Sequence, residues 1–152
     1  MRLLLSYPKA VASVRQVVSR RQRDFLSDLP GYRLPAAGIV SILHRISGAL
    51  MFLLMPFIIW MFDTSVSSEI SFAKFKAAFN VGLGFAPGWL IKLVALALIW
   101  AYLHHLIAGM RHVYMDVHHA VSKEFGKSSA LFTLALSVGL TVILAAKLFG
   151  LY

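Results

Sequence analysis

Between Trp89 and Asp116 the chain reads WLIKLVALALIWAYLHHLIAGMRHVYMD, and no other stretch constrains the fold as strongly. Its first half is almost uninterrupted hydrocarbon, while His104, His105, Arg111 and His112 crowd into the second. A helix of this length and apolarity can cross a bilayer, whose hydrocarbon core takes about 20 residues. Ionisable side chains at bilayer depth are costly and read as function by default. His105 and His112 lie two turns apart on one helical face, with Ala108 and Gly109 between them. That face carries imidazoles at its ends and almost no side chain in its middle, which leaves room for a flat, bulky ligand.

The rest of the chain supplies two further spans. Leu34-Pro35 opens the first, an apolar run over residues 36–62 interrupted by Ser41, His44, Arg45 and Ser47. Pro56 lies inside that run and predicts a kink. Residues 63–88 form a loop in which Phe72, Phe75 and Phe79 recur at helical spacing, so a short interfacial helix is expected there, ended by Gly84, Pro87 and Gly88. The opening stretch is the second span, residues 89–115. A polar loop over 115–129, with His118 and His119 read as solvated interfacial residues, leads to the third span, 130–150. Thr133, Ser137 and Thr141 make a small polar stripe suited to close helix packing, and Lys147 can snorkel to the interface. With 59% hydrophobic and 14% charged residues among 152, the chain falls in the membrane class. The expected fold is an all-α integral membrane protein with three transmembrane helices. No cysteine is present, which excludes iron–sulfur ligation and disulfides within the chain.

Charge placement sets the orientation. Arg2, Lys9, Arg15, Arg20, Arg21, Arg23 and Arg33 precede the first span, opposed only by Asp24 and Asp28. Nothing in the sequence supplies a soluble nucleic-acid module, so the basic balance is read as membrane topology. The arm and the second loop, with Lys123 and Lys127, hold most of the basic residues; the first loop and tail hold Lys74, Lys76 and Lys147. The chain is therefore expected to divide into a basic N-terminal arm, residues 1–33, on the cytoplasmic side and a three-helix anchor, residues 34–152. An Arg-rich, acid-poor N-terminus also suits a mitochondrial transit peptide, but the arm is expected to stay on the chain, against the membrane surface or a partner. In this topology Ser41 and His112 lie roughly 6 to 9 Å from the inner boundary, and His44, Arg45 and His105 roughly 14 to 17 Å. Two polar patches far apart in sequence thus coincide in depth.

A lone histidine on an apolar face is more often satisfied by packing than ligating. Four histidines and two arginines inside spans, at matched depth, reverse that weighting. Neutral imidazole is an axial ligand of haem iron, and a b-type haem also needs small residues where its ring passes and cationic groups at its propionates. His105, with Ala108 and Gly109, meets the first needs; His44, Arg45, Arg111 and His112 are candidates for the haem edge and propionates. His104 points about 100° away from His105 and is expected to pack against a neighbouring helix or donate a hydrogen bond. Ser47 and Gly48 are read as helix packing. Ser41 and Arg45 sit side by side at i and i+4, a hydroxyl beside a fixed cation that can hold a quinone carbonyl and favour negative charge on it.

SILHRISG at residues 41–48 and HLIAGMRHVYMD at residues 105–116 resemble the cytochrome b556 membrane anchors of succinate dehydrogenase, respiratory complex II. The resemblance spans roughly residues 30–150 and is specific because both halves occur together. It implies that His105, rather than His104, is one axial ligand of haem b, that a second, smaller hydrophobic anchor subunit supplies the other ligand and completes the helical bundle, and that Ser41 and Arg45 line a ubiquinone pocket. It further implies that His44 approaches a propionate, with Arg111 and His112 in support. An iron–sulfur subunit and a flavoprotein would complete the enzyme, succinate oxidation residing in the flavoprotein, within a lipid bilayer. The Arg-Pro-x-Ser-Pro-His stretch of many mitochondrial members is missing, which favours a bacterial inner membrane. Two alternatives stay open: the anchor of a fumarate reductase using menaquinone, and a cofactor-free anchor whose polar residues glue helices.

Overall fold

The computed structural model describes residue 16, residues 34–120 and residues 122–151. The basic arm expected over residues 1–33 lies, Gln16 apart, outside the described residues.

Helix α1, Ala36–Leu53, follows Pro35, which sits in extended conformation at φ −63° and ψ 150° and needs no amide hydrogen there. Pro56 cannot donate to the ladder, and the helix breaks just before it, at Leu54, where φ is −91° and ψ 9°. Hydrogen bonds from Leu54 N to Leu50 O and from Ile58 N to Leu54 O, each 3.0 Å, carry the chain across the break. Helix α2, Met55–Val66, then runs past the end expected near Phe62.

Helix α3, Glu69–Asn80, occupies the first loop. Its start is fixed by a capping box: Ser71 N donates to Ser68 Oγ at 3.1 Å, and Ser68 N to Ser71 Oγ at 2.9 Å. It packs on α2 and on the next long helix, with Phe75 and Phe79 half-buried and Phe72 exposed. A small antiparallel hairpin, β1 Gly82–Leu83 with β2 Ala86–Pro87, turns the chain where the Gly/Pro cluster predicts an end.

Helix α4, Gly88–His118, has 31 residues and is about 46 Å long, more than the roughly 30 Å hydrocarbon core needs. It ends at His119, whose φ of 49° is left-handed. Ser122 caps helix α5, Lys123–Leu148, by accepting from Phe125 N at 3.2 Å, with Glu124 in the first turn. The polar loop expected over 115–129 is therefore mostly helix, and His118 is helical. Helices α1, α4 and α5 are each long and apolar enough to cross a membrane, and the protein is an all-α integral membrane protein.

Helix α4 packs against both α1 and α5, which also touch each other. All three meet at Val40, Ala108 and Ala130, each fully buried. Small side chains let the backbones approach closely, the usual device where lipid removes any hydrophobic drive between helices. Thr133 and Ser137 are buried at the same seam, and Thr133 Oγ1 satisfies itself on Ser129 O at 2.9 Å. A polar stripe can thus face a neighbour without unpaired hydroxyls.

Candidate functional site

The two histidine-bearing rows of α4 face different neighbours. His104 and Arg111, seven residues apart, look towards α5; His105 and His112, equally spaced, look towards α1. Adjacent positions on a helix differ by about 100°, so two stripes run side by side along one helix.

On the α1 side, three imidazoles gather. The His44 and His105 rings stack with centroids 4.1 Å apart and planes 16° from parallel, and His112 lies 5.3 Å from His44. Of the two glycines beside these rings, Gly48 is the one the close approach requires. A Cβ on Gly48 would stand 3.0 Å from His105 Cε1, and one on Gly109 would stand 3.4 Å from His44 Nε2. The matched depths of the polar patches on α1 and α4 are thus realised as ring contacts.

His105 Nδ1 lies 3.0 Å from His44 O and 3.3 Å from Ser47 Oγ, while Ser47 Oγ itself donates to His44 O at 2.8 Å. A carbonyl only accepts, so Nδ1 carries the hydrogen, which in a neutral imidazole leaves the lone pair on Nε2. Nε2 has no hydrogen-bond partner among the described residues, and the side chain lines an open groove of about 510 Å³ along α4 with Gly109, Met110, Val113 and Tyr114. An imidazole pinned through one nitrogen with the other free is the arrangement metal-ligating histidines adopt. Among the described residues no group of three metal-ligating side chains is placed to hold a bare ion, so a metal here would bring most of its own donors, as a porphyrin does. The residues fit a b-type haem: a fixed neutral imidazole, a glycine beside it and apolar walls.

Ser47 is fully buried and fixes the imidazole as well as packing the helix, a role its sequence reading missed. The available signal was its position three residues after His44, one turn along the same face.

Ser41, half-buried, and Arg45, exposed, lie a turn apart on α1, and neither has a hydrogen-bond or ion-pair partner among the described residues. A hydroxyl and a guanidinium at the margin of the imidazole cluster remain available to a ligand.

Arg111 lies on the face of α4 turned to α5. It is 9% exposed, and Nε donates to Ser129 Oγ at 2.9 Å while an amino nitrogen donates to Gly126 O at 3.1 Å. Its stripe faces α5, so the guanidinium ties α4 to the first turns of α5. His104 is fully buried against α5, with Nδ1 3.1 Å from Ser137 Oγ and its ring stacked on Trp100 at 5.5 Å.

Fold and site together define a three-span membrane subunit that presents a fixed imidazole from paired helices. Residues 19–144 match the model of the succinate dehydrogenase/fumarate reductase transmembrane subunit. The chain belongs to that family. It is 32% identical over 126 residues to the succinate dehydrogenase cytochrome b556 subunit of Paracoccus denitrificans, covering 83% of this chain and 92% of that one. The cytochrome b556 subunit of Coxiella burnetii is 35% identical over 118 residues, 78% and 89% of the two chains. The cytochrome b560 subunit of Reclinomonas americana is 28% identical over 112 residues, 74% and 76%.

Proposed function

We propose that this chain is a membrane anchor of a succinate:ubiquinone oxidoreductase, with His105 as one axial ligand of haem b and Ser41 with Arg45 in the quinone site. The observation that carries the reading is the His105 ring, held through Nδ1 by His44 O at 3.0 Å with Nε2 left free over an open groove. When bound, the haem would supply one-electron redox chemistry.

The chain's own residues do the holding. Ser47 and the His44 carbonyl fix the tautomer and aim of the ligand imidazole. His44 and His112 can donate to propionate oxygens, and Arg45 offers them a permanent positive charge. Arg111, committed to α5, drops from that set. Ser41 and Arg45 can hold a quinone carbonyl oxygen, and the cation favours negative charge developing there. The second haem ligand comes from a smaller anchor subunit. An iron–sulfur subunit delivers electrons from a flavoprotein, where succinate is oxidised. The excess of Lys and Arg before α1 and between α4 and α5 sets these ends on the cytoplasmic side of a bacterial inner membrane.

The test is a reduced-minus-oxidised spectrum of the purified complex, with identification of the co-purifying chains and quinone. His105→Ala is expected to abolish or greatly weaken the b-type bands. Ser41→Ala and Arg45→Ala are expected to slow quinone reduction with the bands retained. Parental bands in His105→Ala would overturn the ligand assignment, and normal turnover in both pocket variants would overturn the quinone assignment. Extracted menaquinone would point to the fumarate reductase reading, and an absence of b-type bands in the parent to a cofactor-free anchor.

A further inference from the structure

At the end of the bundle away from the imidazole cluster, a laterally open cavity of about 720 Å³ is walled by all five helices. Its lining is mostly aliphatic and aromatic, Ile58, Leu98, Leu103 and Leu144 among it, with Asn80 and the two cations Lys76 and Lys92. Each ammonium is collared by a ring: Lys76 Nζ lies 5.1 Å from the Phe72 centroid and Lys92 Nζ 5.9 Å from that of Phe149. Among the described residues no carboxylate lines the cavity. Two uncompensated cations therefore line a hydrocarbon slot.

Dimensions narrow the occupant. The slot follows α4 from Lys92 to Leu103, about 16 Å at the helical rise, which is half of a hydrocarbon core about 30 Å thick. A neutral head group gives the two ammonium groups no counter-charge. An anion carrying acyl chains one leaflet long satisfies both ends.

We propose that this cavity is a binding site for one anionic phospholipid of the leaflet opposite the imidazole cluster, its phosphate between Lys76 and Lys92 and its acyl chains along α4. The site rests on the membrane reading alone and is independent of the haem and quinone assignments. The purified complex in phosphatidylcholine nanodiscs is titrated with phosphatidylglycerol, and bound lipid is read by native mass spectrometry. The parent is expected to retain phosphatidylglycerol in preference to phosphatidylcholine. Each lysine near an anionic head group contributes about a factor of five, so K76Q/K92Q is expected to weaken retention about 30-fold. I99W fills the slot with both lysines in place and is expected to expel the lipid. K74Q, on α3 but outside the cavity, is expected to match the parent, and size-exclusion recovery of each complex confirms assembly. A K76Q/K92Q titration superimposed on the parent's, full occupancy in I99W, or retention of phosphatidylcholine or a quinone in place of phosphatidylglycerol would each overturn the proposal.

Discussion

Replacing Gly48 with alanine tests whether the His105 ring is held where a ligand needs it. The added methyl would sit 3.0 Å from His105 Cε1 and 3.3 Å from Nδ1, inside ordinary contact distance. The ring has little freedom to retreat, because it stacks on His44 at 4.1 Å and its Nδ1 is held by His44 O at 3.0 Å. Relieving the contact stretches that hydrogen bond, and forfeiting it costs about 0.5–1.5 kcal/mol, roughly a two- to twelvefold loss of cofactor affinity. Changes in groups that orient a metal ligand commonly cost 10- to 100-fold, so a fall of about tenfold is expected. Helix propensity moves the other way, since alanine is favoured over glycine by up to about 1 kcal/mol in a helix interior. Gly48→Ala should therefore release haem faster to apomyoglobin without a matching loss of thermal stability. Gly139→Ala is the control, because open space surrounds that position; it gains the propensity and leaves haem untouched. Parental haem release and band position in Gly48→Ala would refute the reasoning.

Two further outcomes follow from the α5 side of α4. Arg111→Met removes the bonds to Ser129 Oγ and Gly126 O, and is expected to lower unfolding stability by roughly 1.5–3 kcal/mol with the haem band position unchanged; an unaltered unfolding midpoint would sink this clamp role. Ser137→Ala strips His104 of the hydrogen bond at Nδ1, while Nε2 has no hydrogen-bond partner among the described residues. A loss of about 1–3 kcal/mol in thermal or denaturant unfolding is expected, and a neutral effect would show that the bond contributes nothing.

How much of this was legible beforehand depends on what a sequence encodes. Apolar run length locates the spans, and depth along a helix can be counted, so the meeting of His44 with His105 was readable, whereas the contact of His44 with His112, placed at another depth, was not. Azimuth was not. Arg111 and His112 are neighbours in sequence and in depth, yet one faces α5 and the other α1, and nothing in a single helix says which neighbour lies on which side. The same limit left His104 and His105 unresolved by the residues themselves. Helix ends were misplaced where polarity was taken for loop: Ser122 followed by Glu124 is an N-terminal capping signal, and α5 starts there rather than near Ala130. Ser47 was read as packing because its hydroxyl had no visible partner until α4 was laid beside it.

The paired rows on α4 also govern how that helix can move. One row is latched to α5 through Arg111 and His104, the other engages α1 through His105 and His112, so α4 behaves like a keyed shaft between two slots. Any twist large enough to re-aim the His105 imidazole must first pull a buried guanidinium off Ser129 and Gly126. Contacts on the far side of α4 thereby hold the imidazole cluster in register.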